Sequence, residues 1–192
     1  MGAGRVKVDG VKSSDRRPGS SNAILAMLAG GDRRSIGRAN QAAAMVSKDL
    51  SLFPELMTGL WSDDPLVRMR AADAAEKVSR KHPKLLARHK TELLGLMAEA
   101  NQQELRWHLA AMVPRLALNA KERQRAAALF EDYLEDRSSI VKTFALQGLA
   151  DLARNDSVMR SSVIELLRAA ERSGTPAMRA RSRKLLARLE RA

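Results

Sequence analysis

An all-α fold is predicted by three features of this chain. Its apolar side is carried by Ala, Leu, Met and Val, and aromatic residues make up only 3% of it. Ala and Leu are strong helix formers that lose little on ordering, whereas strands favour β-branched and aromatic side chains. Short polar turns recur at the interval of a helical hairpin. Behind each turn, apolar residues fall at helical spacing.

The bulk composition then narrows the function. The chain has 192 residues, 45% hydrophobic and 29% charged, which suits one folded domain with a short tail. There is no cysteine, so disulfides, thiolate metal sites and a cysteine nucleophile are excluded. His82, His89 and His108 are too scattered for a zinc site, and no cofactor or metal is expected. No apolar run approaches the roughly 18–20 residues of a membrane span. The polar N-terminus lacks the apolar core of a signal peptide, so a cytoplasmic location is expected. The formal charge is +12, unevenly spread: +3 over 1–20, −2 over 93–136 and +6 over 160–192. Such a balance suits acidic proteins, nucleic acid or anionic lipid as partners.

Residues 1–20 combine Gly, Ser and charge without a helical stripe and read as a flexible basic arm. Residues 21–192 form the repeat domain. Five turns are followed by a small or apolar residue, a basic residue and an Ala/Leu-rich helix. These are Gly37-Arg38, Val67-Arg68, Leu105-Arg106, Val141-Lys142 and Met178-Arg179, successive basic positions lying 30, 38, 36 and 37 residues apart. A recurrence of 30–40 residues is the length of one helical hairpin, the unit of a stacked repeat array. An acid or polar residue (Asp32, Asp63, Asn101, Asp136, Ser173) precedes each basic anchor by five or six positions. Asp64-Pro65 and Thr175-Pro176 each pair an N-cap with a proline at the first helical position, where a missing N–H costs nothing.

Counted from the anchor, offsets +3, +4, +7 and +10 or +11 are apolar: Ala71, Ala72, Ala75 and Val78, then Leu109, Ala110, Val113 and Leu116, then Ala145, Leu146, Leu149 and Leu152. At 100° per residue they form one core-facing stripe. First helices are expected around Ile24–Leu28, Leu52–Trp61, Leu85–Ala98, Arg123–Leu134 and Val158–Ala170. Pro54 and Pro114 read as tolerated kinks.

The string Leu52-Phe53-Pro54-Glu55-Leu56, then Leu60, Asp63-Asp64-Pro65, Val67-Arg68 and Ala71-Ala72, resembles a HEAT repeat. That motif has a proline-containing first helix, a turn Asp, and Val-Arg opening an Ala-rich second helix. Leu134, Asp136, Ile140-Val141-Lys142, Ala145 and Leu149 match next best, and the outer units are degenerate. The resemblance, to small HEAT/armadillo-like proteins of the bacterial type, implies a right-handed α-α superhelix of about five hairpins. It also implies that second helices line the concave surface. It says little of function, since such folds host many.

Two basic series follow. Arg38, Arg68, Arg106, Lys142 and Arg179 read as structural anchors, each paired with the preceding turn Asp so as to tie successive turns together and satisfy helix-terminal carbonyls. Offsets +2, +5, +9 and +12 lie away from the core stripe. Their cationic and aromatic members form the candidate binding surface: Arg70, Lys77, Arg80, His108, Arg115, Phe144, Arg154, Arg181, Lys184, Arg188 and Arg191. Asp73 and Asp151 interrupt it. These offsets are also where any helix would carry solvating charge. No nucleophile elbow, P-loop or His-Glu-x-x-His sequence occurs, so no catalytic residues are assigned and a non-enzymatic scaffold for a protein partner is expected. Phosphate-backbone binding of nucleic acid is the alternative. A HEAT-like DNA glycosylase is a distant third, echoed only by Trp107 beside Asp73 and Asp151.

Overall fold

Ten α-helices and no strand make up the described residues, 23–32 and 35–191 of a computed structural model. The basic arm expected over 1–20 lies outside them. The helices are α1 (Ala23–Leu28), α2 (Ala39–Lys48), α3 (Phe53–Thr58), α4 (Pro65–Lys81) and α5 (Lys90–Glu99). They continue as α6 (Gln103–Met112), α7 (Ala120–Leu134), α8 (Ser139–Ala153), α9 (Ser157–Ser173) and α10 (Pro176–Leu189). Short 3-10 turns extend several of them, at Leu50–Leu52, Gly59–Trp61, Pro83–His89 and Val113–Arg115.

The expected caps form. The Asp64 carboxylate accepts from the Leu66 N–H at 2.8 Å ahead of Pro65, and the Thr175 hydroxyl accepts from the Met178 N–H ahead of Pro176. A reciprocal cap opens α7: the Glu122 N–H donates to Asn119 Oδ1 and the Asn119 N–H donates to Glu122 Oε2. The two prolines read as kinks are no such thing. Pro54 sits in the first turn of α3, where no intrahelical acceptor is lost, and Pro114 lies in the 3-10 turn that ends α6.

Each odd-numbered helix packs on the even-numbered helix that follows it. The even-numbered helices also pack in succession, α2 on α4, α4 on α6, α6 on α8 and α8 on α10. The stripe that does this packing is the one read from spacing: Ala71, Ala72, Ala75, Val78, Leu109, Ala110, Val113, Ala145, Leu146 and Leu149 are all buried. Small residues there let helix axes approach. On the other side of α8, Gly148 allows a similar approach to α7, because a Cβ at that position would lie 2.5 Å from the Phe130 ring. Tyr133 adds a longer tie, its hydroxyl donating to the Met97 carbonyl at 2.7 Å so that α7 is fastened to α5.

Gly148→Ala should therefore cost about 1–3 kcal/mol through overpacking, read as a lower urea midpoint. Gly95, inside α5, has nothing within 4 Å of an added Cβ. Gly95→Ala should be neutral or raise stability by about 0.5–1 kcal/mol.

Candidate binding face of the even-numbered helices

The offset rows chosen as a binding surface lie on α4, α6, α8 and α10, but much of their charge is spent between helices. Lys77 Nζ donates to Asn40 Oδ1 on α2 and to Asp73 on its own helix, both at 2.6 Å. Arg115 donates to the Glu76 carboxylate, to the Glu76 carbonyl and to the Ser79 hydroxyl, all on α4. Arg181 donates to Gln147 Oε1 at 2.9 Å and lies over the Phe144 ring. Arg188 reaches Asp151 at 2.6 Å. Each of these side chains bonds a residue 34–39 positions earlier, on the preceding even-numbered helix. The row is a ladder of ties between successive hairpins.

Two of the chosen residues are not on the surface. Arg70 is 2% exposed. Its guanidinium donates to the carbonyls of Leu28, Gly30, Asp32 and Ser35, so the connection from α1 to α2 is folded around it. Gly37 makes this possible: its φ is +51°, and a Cβ there would meet the guanidinium carbon at 2.7 Å. Helical geometry could not foresee a loop crossing the face of α4. His108 is likewise 2% exposed, with Nε2 3.9 Å from Asp73 Oδ1 on α4 and its ring against Trp107. Burial drives its pKa from 6.5 down to about 3; the charge of Glu76 opposes the shift and that of Lys77 adds to it.

The anchors also divide. Arg68 donates to the carbonyls of Ser62 and Asp63 and to Gln102 Oε1, and Arg106 donates to the Ala100 carbonyl and pairs with Asp136 at 2.5 Å. These two tie successive turns together, but through carbonyls of the turn before and a side chain of the turn after, not through a preceding carboxylate. Arg38 instead contacts Gln41. Among the described residues, the side chains of Lys142 and Arg179 make no hydrogen bond or ion pair. Outside the anchor series, Arg123 bridges two turns like Arg68, reaching the Leu118 carbonyl and Asp156, while Arg160 reaches the Arg154 carbonyl of the turn before it. Arg68, Arg106, Arg123 and Arg160 all occupy the fourth position of their helices. The last two stand on odd-numbered helices, outside the second-helix series.

What remains is a groove of about 590 Å³ across α4, α6, α8 and α10. It brings together Arg80, Arg115, Arg154 and Arg181 of the candidate surface, with Phe144 and Pro114. Its two carboxylates are Glu76 and Asp151, leaving a cationic surplus of two. Burial alone would raise the Glu76 carboxyl, but hydrogen bonds from Arg80 and Arg115, with their charges, hold it below the ordinary value. Glu76 lies at offset +8, outside the rows read from sequence; its i,i+4 spacing to Arg80 was the available signal. Phe144 is half-buried between Trp107, 5.2 Å away between ring centres, and Arg181. The Arg154 side chain is exposed and has no hydrogen-bond or ion-pair partner among the described residues. Lys184 and Arg191 are exposed outside the groove lining.

Asp73 is buried and paired with Lys77, and Asp151 is engaged by Arg188 and Gln147. Among the described residues no group of three or more His, Asp or Glu side chains is placed to hold a metal ion. No helix there is long and apolar enough to cross a membrane. No protein-family model matches the chain, and no curated protein or solved structure matches it either.

Arg70→Met should lower stability by roughly 2–4 kcal/mol, because carbonyls of the α1–α2 connection lose their donor. Arg70→Lys, with fewer donors, should fall between, as measured by chemical denaturation. His108 gives a pH signature. Its folded pKa lies below its unfolded value, so the unfolded chain binds the proton first and stability drops as pH falls below 6.5. The loss should reach about 2 kcal/mol by pH 5. His108→Gln should flatten the stability profile between pH 6.5 and 5.

Proposed function

We propose that this chain is a non-enzymatic scaffold, an α-α solenoid of five HEAT-like hairpins whose even-numbered helices hold an acidic segment of a partner protein. The succession of α2, α4, α6, α8 and α10, each packed on the one before, supports the solenoid arrangement. So do the inter-hairpin ties that recur 30–37 residues apart from Arg68, Lys77, Arg106 and Arg188. The right hand of the superhelix is what the HEAT resemblance implies.

The observation that carries the function is the composition of the groove. Phe144 and Pro114 offer apolar contact, Arg154 has no competing partner, and arginines outnumber carboxylates four to two. An acidic segment with an apolar side chain would use both properties, with the cations steering its approach. The +12 charge favours a second reading, binding of a nucleic-acid backbone. Glu76 and Asp151 count against it, because they break the cationic row where phosphates would follow one another.

The test is affinity capture from native lysate with identified partners, comparing the unaltered protein with Phe144→Ala/Arg154→Glu/Lys184→Glu. None of the three tethers one helix to another by a hydrogen bond, so the fold should persist by circular dichroism. Loss of an acidic protein partner is expected; an unchanged set of partners would reject this face. Titration with single- and double-stranded oligonucleotides at about 50 mM salt separates the second reading. Tight binding that collapses as salt rises, and is lost in the same variant, would transfer the face to nucleic acid.

A further inference from the structure

The odd-numbered helices carry a second groove whose chemistry is the reverse of the first. α1 packs on α3 and α5 on α7, but α3 and α5 are not a principal packing pair. Phe53 of α3 makes an edge contact with His89, the residue just before α5, with ring centres 6.1 Å apart. The opening between them is a groove of about 550 Å³ floored by Met57, Gly95 and Leu96, with Trp61 at its margin. Trp61 is 44% exposed, a large apolar surface left in water. The open space above Gly95, where an added Cβ would meet nothing, is part of the same hollow.

Charge makes this groove unusual for this chain. Lys and Arg number 34 in the sequence, yet none lines the groove, and Glu92 and Glu99 both do. Both carboxylates are exposed, Glu92 bonded only to His89 Nδ1 at 2.9 Å. An apolar floor with an anionic rim, on a protein of charge +12, selects a ligand opposite to that of the even-numbered face. We infer that the groove between α3 and α5 is a docking site for a partner's peptide segment in which apolar side chains alternate with lysine or arginine. The apolar side chains cover Trp61 and Leu96 and fill the space over Gly95, while the cations meet Glu92 and Glu99. This inference does not depend on the reading of the even-numbered face, since the two grooves share no residue.

Trp61 provides the readout. The full chain is titrated with an acetylated, amidated peptide of alternating leucine and lysine while tryptophan emission is followed. A saturable blue shift is expected, absent in Trp61→Phe. Gly95→Leu should abolish binding by occupying the hollow, with helicity unchanged because its side chain meets open space. Glu92→Gln/Glu99→Gln should weaken binding roughly fivefold, the scale of two exposed ion pairs. A serine/lysine peptide binding equally well would show attraction by charge alone and overturn the inference. So would equal binding of a leucine/glutamate peptide, a signal that does not saturate, or binding unaffected by Gly95→Leu. A blue shift that appears without peptide as protein concentration rises, and disappears in Gly95→Leu, would instead make the groove an interface between two copies of the chain.

Discussion

Close packing of each even-numbered helix on the one before it is the constraint on which the rest of this molecule depends. It is possible because the shared stripe is made of alanines and short aliphatics, with Ala71, Ala72, Ala74, Ala75, Ala145 and Ala150 wholly inside. Interiors at crystalline density tolerate little change of volume. The contact of Gly148 with the Phe130 ring shows how little room is left on the odd-numbered side of α8 as well.

That closeness decides what the neighbouring charges do. When two helices pack through small residues, long side chains flanking the seam fall within reach of the neighbouring helix. Lys77, Arg115, Arg181 and Arg188 each find an amide or carboxylate on the preceding even-numbered helix. Individually such partly exposed bonds add little stability. Collectively they set the relative position of successive hairpins, since guanidinium groups are selective for geometry. What the ladder leaves over on this face is Arg154, the outward side of Arg80, and the Phe144–Arg181 stack.

The odd-numbered helices follow a looser rule. Nothing like the alanine stripe draws α3 and α5 together, so Trp61 stays half in water and the rim carboxylates keep their exposure. The contrast between a tight row and an open one gives the chain two faces of opposite chemistry. The even-numbered face offers excess cations around an aromatic stack, and the odd-numbered face an apolar hollow with acidic edges. On the tight side water is excluded even from charged or titratable groups, as at Arg70 and His108.

Local chemistry was enough to determine a good deal from sequence. The all-α class, the Asp64-Pro65 and Thr175-Pro176 starts and the buried stripe follow from propensity, capping and a 100° rotation per residue. All three act within a few residues along the chain. The second-helix face was legible only as a direction. Whether a residue pointing that way reaches solvent depends on what lies across from it. For Arg70 that is a loop bent by Gly37, for His108 the side of α4, and for Arg115 a buried Glu76 some 39 residues earlier. Periodicity carries no information on those long-range neighbours. Tertiary packing alone therefore decided which cations hold the helices together and which remain exposed to solvent.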